Sequence, residues 1–281
     1  MTKLLKSLLK DVFLESEISQ VISSFDIIGD IAIIKIPDSL LIKKKIIGGI
    51  LLSHIPNLKS IFLQNTAVKG EYRLRGLELI SGEEKYLTIY KEYGCKFFIN
   101  VANSYFSPRL STERYRISNI VSEHETIINM FAGIGTFSII IAKKTPVIIY
   151  NIDSNLDAYI LSCINTKLNK VQSRIISLHG DVQNILLSQK FTDKADRILM
   201  PLPERAFEYI DISINCLKPN GGYLHFFSHI KSETKQNVIS ESEKFVHSLF
   251  SKYDYQIKHT QIVRAVGPRL YQTVNDIYIK K

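Results

Sequence analysis

The pattern of hydrophobic positions changes character about one third of the way along the chain. Before residue 100, short helical patterns are mixed with segments in which apolar and polar residues alternate. After that point, apolar runs are separated by helical patterns, and the first four runs occupy residues 126–128, 146–152, 175–178 and 195–200. Buried runs that alternate with helices are typical of an open parallel sheet. We therefore predict an α/β, Rossmann-like domain at 103–281 and a smaller α+β domain at 1–102.

The first part of the chain predicts a small sheet with helices. Leucines recur at helical spacing with lysines between them, which indicates one or two amphipathic helices within residues 3–24. Residues 24–36 are rich in β-branched isoleucines, which is typical of strands. Gly29-Asp30 within this segment is a hairpin-type turn signal. A helix is predicted over 39–54. Further strands are predicted between 58 and 101, including the alternating segments Val68–Arg75 and Tyr86–Glu92, with turns at Gly82 and Gly94.

A glycine turn follows the first apolar run of the second part. The segment Asn129–Phe137 contains Gly133 and Gly135, and the helical pattern after it begins at Phe137. Glycine lets the backbone approach a ligand closely because it has no Cβ. A strand, a glycine turn and a helix in this order predict a nucleotide-type ligand, although many such turns are only tight corners.

Acidic residues end the next two apolar runs. Asp153 closes the second run, about 20 residues after the turn, where this fold places the acid that binds a ribose. Asp181 closes the third, where it could meet an adenine amino group. Ser138 stands where the third glycine of a pyrophosphate-binding turn would be. This combination favours S-adenosylmethionine over NAD. The alternative is an α/β domain whose loop acids are merely solvated.

The fourth run, Ala195–Met200, leads into Pro201-Leu202-Pro203. Ligands in open parallel sheets bind outside the carboxyl ends of the strands, so the turns after strands one to four should converge on one crevice. A helix at 204–217, a strand at 223–227 and a helix at 236–252 follow. Strands near 257–264 and 272–279 predict a terminal hairpin.

Composition and charge indicate the kind of partner and the cellular compartment. The net charge of +9 suggests a polyanionic partner, with an ordinary lysine-rich surface as the alternative. The cysteines Cys95, Cys163 and Cys216 are widely spaced, which indicates a reduced, cytoplasmic protein. Neither a signal peptide nor a membrane-spanning run is visible, and the seven histidines show no pairing that predicts a metal site.

Several motifs in a fixed order carry a family resemblance over nearly the whole chain. They are Phe25–Ala32, Gly70–Arg73, Tyr105–Arg114, Met130–Gly135 and Ala195–Met200. With them, the chain resembles the archaeal and eukaryotic tRNA (guanine-N1)-methyltransferases that act at position 37, beside the anticodon. The resemblance implies a class I methyltransferase domain, S-adenosylmethionine as donor, and tRNA bound through its anticodon loop. It also implies a short form without the extra N-terminal domain of many members, which we expect to be a monomer.

The resemblance assigns roles to individual residues. It implies Arg73 and Glu113 as catalytic residues, and Tyr105 and Arg114 at the methionine end of the donor. The other implied donor contacts are Phe131, Gly133, Gly135, Asp153, Ser154, Asp181, Val182 and Pro201. The implied RNA contacts are Arg109, Arg264 and Arg269, for which plain surface charge is the alternative.

The chemistry suits the implied catalytic pair. Guanine N1 carries a proton and becomes a good nucleophile only when a base such as Glu113 takes that proton. Negative charge then builds on O6, where a fixed guanidinium such as that of Arg73 would stabilise it. The alternatives are a Glu113 that only serves the helix dipole and an Arg73 that is an exposed strand residue touching phosphate. Separately, Ser111 or Thr112 is predicted to cap the helix that carries Glu113.

Two departures from the family pattern leave other functions open. Asn129 stands where the family usually has aspartate, and Pro201 stands where its fourth-strand motif normally has asparagine. One alternative is a wyosine-pathway relative that methylates C7 of the tricyclic precursor or transfers an aminocarboxypropyl group. The other is an RNA-binding protein with a degenerate methyltransferase domain.

Overall fold

The computed structural model describes residues 4–22, 24–66, 72–188 and 191–281. The chain forms two compact units, Met1–Pro108 and Arg109–Lys281. The domain boundary between residues 102 and 103 stays a prediction.

The first unit is a small mixed sheet with helices. Its order of strands is β1-β2-β3-β4, and β2 and β3 run parallel while the outer pairs are antiparallel. Strands β5 and β6 form a separate antiparallel hairpin. The elements are α1 (Leu4–Leu8), α2 (Glu15–Gln20), β1 (Asp26–Ile28), β2 (Ile31–Ile34), α3 (Lys44–His54), β3 (Ser60–Gln64), β4 (Leu77–Gly82), β5 (Leu87–Glu92) and β6 (Cys95–Asn100).

Apolar side chains from the helices and the sheet close the core of this unit. Leu5, Leu9, Leu51 and Ile61 are all almost completely buried. The hairpin predicted at Gly29-Asp30 joins β1 to β2, and β5 lies within the predicted segment Tyr86–Glu92.

The strand predicted over Val68–Arg75 is wrong where it can be judged. Residues 67–71 lie outside the described residues, and Tyr72 and Arg73 form a turn. Arg73 has a φ of +55°, which is the left-handed region and incompatible with a strand. Leu74 forms an isolated β-bridge, so among the described residues of this segment the β-structure is limited to one position.

The second unit is a seven-stranded sheet with the order β12-β13-β11-β10-β7-β8-β9. Strands β7 to β11 are parallel, while β13 is antiparallel to both β11 and β12. The strands are β7 (Thr126–Asn129), β8 (Ile148–Asp153), β9 (Ile175–His179), β10 (Arg197–Met200), β11 (Gly222–Lys231), β12 (Asp254–Gly267) and β13 (Leu270–Lys280). The helices are α4 (Ser111–Ile120), α5 (Thr136–Lys144), α6 (Leu156–Leu168), α7 (Val182–Ser188), α8 (Ile210–Cys216) and α9 (Val238–Phe250).

This order of strands predicts where a ligand crevice lies in the sheet. The chain runs outward from β7 through β8 to β9 and then returns to place β10 on the other side of β7. In an open α/β sheet the crevice lies at such a reversal, outside the carboxyl ends of the strands. The predicted α/β, Rossmann-like fold with a smaller α+β part ahead of it is confirmed.

Among the helices of the described residues, none combines the length and the apolar character that a membrane crossing requires.

Candidate active site

The turn between β7 and α5 has the conformation that its glycines allow. Gly133 and Gly135 have φ values of +54° and +86°. A Cβ on Gly135 would lie 2.9 Å from Ser162 Oγ and 3.3 Å from Asn151 Nδ2. A larger residue would therefore be strained in its backbone and crowded by its neighbours. Both glycines serve the close turn, as their spacing predicts.

A buried polar network supports this turn and explains the asparagine at position 129. The hydroxyl of Ser138 donates its only proton to Asn151 Oδ1, so it must accept from Asn129 Nδ2, which lies 3.0 Å away. Asn151 in turn donates to Ser162 Oγ at 3.1 Å. An aspartate at 129 has no proton to offer Ser138 when it is ionised. The asparagine that replaces the family's usual aspartate at 129 is therefore complementary to the hydroxyl of Ser138.

Asp153 ends β8 beside the glycine turn. Its Oδ2 accepts the N–H of Gly133 at 2.6 Å, and its Oδ1 accepts the N–H of Asn155 at 3.0 Å. A carboxylate has about four acceptor positions, so two remain for other donors such as ribose hydroxyls. Burial raises the pKa of Asp153, and the two backbone hydrogen bonds oppose that effect. The carboxylate thus fits the ribose of an adenosyl donor.

The structure brings most of the other predicted donor contacts to the same edge of the sheet. Phe131 follows β7 and packs edge to face on Tyr209, with ring centroids 5.2 Å apart. Ser154 follows β8, and its carbonyl lies 3.2 Å from His179 Nε2. Asp181 follows β9 and caps α7 by accepting the N–H of Asn184 at 3.1 Å, while its side chain stays exposed. Next to it is the buried Val182, and Pro201 directly follows β10.

Replacing Asp153 with asparagine should weaken donor binding. The amide keeps one acceptor oxygen and presents an N–H₂ group where the carboxylate accepts, so at least one charge-assisted hydrogen bond is lost. We expect the Kd for S-adenosylmethionine to rise by about 10-fold to 100-fold. Isothermal titration calorimetry measures the change, with Asp157→Asn, an exposed position on α6, as the control. Equal affinities in the two variants would remove Asp153 from the donor site.

Helix α4 carries Glu113 and Arg114 into the protein. The 3-10 turn Pro108–Leu110 leads into the helix, which begins at Ser111 and has Leu110 as its N-cap without a side-chain hydrogen bond. The predicted capping by Ser111 or Thr112 is therefore wrong, because the preceding turn already winds into the helix. Glu113 and Arg114 are exposed by only 2% and 1%.

The carboxylate of Glu113 is held from two sides. Arg116, one turn along α4, donates from Nη2 to Oε1 at 2.7 Å and from Nε to Oε2 at 3.0 Å. Gln261 of β12 donates to Oε2. Burial raises the pKa of Glu113, and the hydrogen bonds from Arg116 and Gln261 only partly offset that effect. A buried, oriented carboxylate with a raised pKa has the properties of a general base.

Arg73 and Tyr105 lie together in the first unit. The guanidinium carbon of Arg73 is 4.2 Å from the centroid of the Tyr105 ring, which is a cation–π contact. The left-handed φ of Arg73 is uncommon for a residue other than glycine, and such backbone strain is concentrated at functional sites. Arg73 is therefore neither a strand residue nor a fully exposed one.

The three predicted RNA contacts lie apart from the glycine turn. Arg109 is exposed in the 3-10 turn before α4. Arg264 lies on β12, where its Nε donates to Gln272 Oε1 at 2.8 Å. Arg269 lies in the turn between β12 and β13 and pairs with Glu233 at 2.5 Å, with 63% of its side chain exposed. The exposed cations Arg109 and Arg269 suit phosphate contact, while Arg264 is half-buried and holds Gln272 within the terminal hairpin.

Sequence reasoning missed the partners of Glu113. Arg116 stands three residues after Glu113 on one helix, which is a spacing at which an ion pair could have been predicted. Gln261 and Asp276 come from the terminal hairpin, and no local pattern connects them to α4. Among the described residues, the histidines, cysteines and acids form no group of three that could hold a metal ion.

The fold and the site define a Rossmann-like methyltransferase with an α+β domain ahead of it. The TRM5/TYW2 methyltransferase domain family matches residues 88–257, and the TYW2 N-terminal domain family matches residues 5–85. The chain belongs to the TRM5/TYW2 methyltransferase family, as its motifs predict, and S-adenosylmethionine is its methyl donor.

Named relatives show two activities within this family. The chain is 36% identical, over 92% of its length and 71% of the relative, to tRNA (guanine(37)-N(1))-methyltransferase Trm5b of Methanocaldococcus jannaschii. It is 33% identical, over 90% of its length and 92% of the relative, to tRNA 4-demethylwyosine(37)-methyltransferase Taw21 of Saccharolobus solfataricus. A solved complex of aTrm5 with tRNALeu matches with a TM-score of 0.82 and 33% identity, over 97% of this chain and 77% of that one.

Proposed function

We propose that this protein transfers a methyl group from S-adenosylmethionine to N1 of guanosine at position 37 of tRNA. The observation that carries the proposal is Glu113, a buried carboxylate that Arg116 and Gln261 orient and whose pKa burial raises. The named activity of the Trm5b relative supports the target. The complex of aTrm5 with tRNALeu supports tRNA as the partner.

Glu113 acts as the general base in this proposal. Its carboxylate takes the proton from guanine N1 while the N1 electron pair bonds to the methyl carbon. The bond from that carbon to the donor sulfur breaks, and the sulfur keeps its electrons, which leaves neutral S-adenosylhomocysteine. Guanine is neutral before and after the step, because the positive charge of the sulfonium and the negative charge of Glu113 are both lost. Glu113 then releases its proton to water.

Arg73 stabilises the oxygen of the target base. As N1 loses its proton, negative charge grows on O6, and a guanidinium can donate charge-assisted hydrogen bonds to that oxygen. Stacking on Tyr105 restricts the orientation of the guanidinium before substrate arrives. This preorganisation favours the charge-bearing transition state over the neutral ground state.

The donor lies in the crevice of the second unit in this proposal. The backbone of the turn at Gly133 and Gly135 packs against the donor. Asp153 accepts hydrogen bonds from the ribose hydroxyls, and Asp181 accepts from the adenine amino group. Phe131, Ser154, Val182 and Pro201 line the adenosine, while Arg114 and Tyr105 serve the methionine end. S-adenosylmethionine supplies an already activated methyl group, so the protein contributes position and proton removal.

The remaining surface serves tRNA. The net charge of +9 favours a polyanion, and the exposed Arg109 and Arg269 and the half-buried Arg264 supply cations for phosphates beside the anticodon loop. The cysteines are all free, in keeping with a reducing cytoplasm. We propose that the enzyme acts as a monomer and without a metal ion.

A second candidate function has its own support. Residues 5–85 match the TYW2 N-terminal domain family, and the Taw21 relative methylates a wyosine intermediate at the same nucleotide. Pro201 fits this candidate because a proline offers no side-chain hydrogen bond to a guanine. The donor and the anticodon loop are common to both candidates. They differ in the base that receives the group, and aminocarboxypropyl transfer would differ in the transferred group as well.

One assay separates the candidates. Unmodified tRNA transcripts with guanosine or adenosine at position 37 are incubated with enzyme and S-adenosylmethionine, and the nucleosides are analysed by mass spectrometry. We expect N1-methylguanosine from the guanosine transcript and no product from the adenosine transcript. Modification only of tRNA that carries the wyosine precursor would replace the first candidate with the second.

A further inference from the structure

A continuous line of charged and polar side chains runs through the second unit to Glu113. Arg116 bridges Glu113 and Asp276, and its Nη1 lies 2.6 Å from Asp276 Oδ2. Asp276 Oδ1 lies 2.6 Å from His225 Nδ1, and His225 Nε2 lies 2.7 Å from Arg197 Nη1. His225 and Asp276 face each other directly on β11 and β13. We call these four residues, Arg116, Asp276, His225 and Arg197, the relay; Arg116 is partly exposed and the other three are buried.

The relay fixes the proton on His225. A guanidinium only donates hydrogen bonds, so His225 Nε2 must accept from Arg197 and carries no proton. The single ring proton is therefore on Nδ1, from which it is donated to Asp276. Burial and the charges of Arg197 and Arg116 lower the pKa of His225 against the opposing effect of Asp276. His225 is thus a neutral donor of defined tautomer.

Arg197 is itself anchored at the far end of the relay. It donates to Glu125 Oε2 at 2.6 Å from Nε and to Glu125 Oε1 at 2.9 Å from Nη2. Its Nη2 also lies 3.2 Å from the carbonyl of Ile120. These contacts leave Arg197 Nη1 directed at His225 Nε2. The guanidinium is held in place, and its donated hydrogen bond fixes the tautomer of His225.

The charges along this line are nearly balanced. Glu125 and Arg197 cancel, His225 is neutral, and Asp276 cancels Arg116. The ionised Glu113 is then the one charge of the line without a compensating cation of its own. When Glu113 takes a proton, the whole line becomes neutral, which is the favoured state of a buried group.

We propose that Asp276 and His225 are positioning residues that act through Arg116, so that Glu113 is oriented by a guanidinium whose charge a second carboxylate already neutralises. The proposal rests on the proposed role of Glu113 as the base. Arg116 alone would orient Glu113 but would also hold it as an unreactive ion pair. Asp276 offsets the effect of Arg116 on the proton affinity of Glu113. His225 keeps Asp276 ionised and in place.

The groups that face Glu113 set the expected directions. They are Arg116 on α4, Asp276 on β13 and the uncharged Gln261 on β12, with His225 on β11 behind Asp276. The positive charge of Arg116 lowers the pKa of Glu113, and the negative charge of Asp276 raises it. Removing one or the other should therefore move the acid limb of the pH profile in opposite directions.

The test uses single-turnover methyl transfer by the full chain on a guanosine-37 transcript, at saturating donor and tRNA, over a range of pH. Asp276→Asn should move the midpoint of the acid limb to lower pH by about one unit, and the plateau rate should fall about tenfold because the base is weaker. Arg116→Gln should move the midpoint to higher pH. The double variant should return it towards that of the unmodified enzyme.

A matched control separates this effect from simple damage to the fold. Asp196→Asn likewise removes an ion-paired carboxylate, although Asp196 is 27% exposed and pairs with a lysine, Lys218, at 2.7 Å. It should leave the pH midpoint unchanged. Lower rates in Asp276→Asn and Arg116→Gln without opposite shifts would show that the relay is only structural and would overturn the proposal.

Two further measurements, the rate of Glu113→Gln and the protonation of His225, test the proposed base and the relay separately. If Glu113→Gln keeps the full rate, the proposed base is wrong whatever the relay variants do, so that failure is recognised separately. If Asp276→Asn does not fold, Arg116→Gln and the ¹⁵N resonances of the imidazole in the unmodified enzyme still decide. We expect a neutral His225 with its proton on Nδ1 between about pH 5 and 8, where an unperturbed histidine would titrate. A charged ring or an Nε2 proton would contradict the relay.

Discussion

Replacing Glu113 with glutamine is expected to lower the rate of methyl transfer by about 100-fold to 10,000-fold, the usual contribution of a general base. Glutamine has nearly the same shape but cannot take the proton from guanine N1. The loss should appear in the single-turnover rate with donor and tRNA both saturating. The Kd for S-adenosylmethionine should stay within about twofold, because the donor contacts proposed on β7, β8 and β9 are untouched.

The fold should tolerate this substitution. Removing one partner from a buried ion pair is usually destabilising, because the other charge is left uncompensated. Here Asp276 still neutralises Arg116 at 2.6 Å, so the guanidinium keeps an anionic partner. Glu123→Gln, an exposed carboxylate just beyond the same helix, serves as the control and should keep the full rate. Full activity in Glu113→Gln would exclude Glu113 as the base.

Replacing Arg73 with lysine is expected to reduce the rate by about 100-fold, the effect of losing one well-placed donor to a developing oxyanion. Lysine keeps the positive charge, but it lacks the planar fork that donates two parallel hydrogen bonds. It also stacks less well on Tyr105, so the donor would be less restricted in orientation. The apparent KM for tRNA should change little, since the charge available to phosphates is retained.

Arg75→Lys tests whether the effect belongs to Arg73 or to its segment. Arg75 lies two residues further on, pairs with Asp26 at 3.2 Å and donates to the carbonyl of Phe106 at 3.1 Å. Its replacement should lower the melting temperature and leave the rate of the chemical step nearly intact. If both variants slowed that step equally, Arg73 would have only a structural part in the reaction.

The local signals in the sequence determined most of the second unit. Runs of apolar residues indicated the strands, most clearly at β7 and β10 in the middle of the sheet, where nearly every residue is buried, and less clearly at the edge strand β9. Gly133, Gly135 and Asp153 could be assigned to strand ends because glycine turns and helix starts depend on neighbouring residues alone. The motifs around them also identified the family, which the comparisons confirm.

Local signals failed at two places for different reasons. The alternation in Val68–Arg75 predicted a strand, yet Tyr72 and Arg73 turn, and Arg73 adopts a left-handed φ. The cap of α4 was also wrong, because the 3-10 turn before Ser111 starts the winding without a side-chain hydrogen bond. At Arg73 the folded chain outweighs the β propensity of the residues, whereas at α4 the neighbouring turn takes the place of a side-chain cap.

The sequence by itself determined which residue types are available for proton removal, donor binding and charge stabilisation. Only the tertiary structure decided how the proposed base is held. Gln261 and Asp276 lie about 150 residues from α4 along the chain, at separations of 148 and 160 residues from the groups they contact. They reach α4 because β13 inserts antiparallel between β11 and β12. Burial and neighbouring charge control proton affinity, and both are properties of the folded chain rather than of any local pattern.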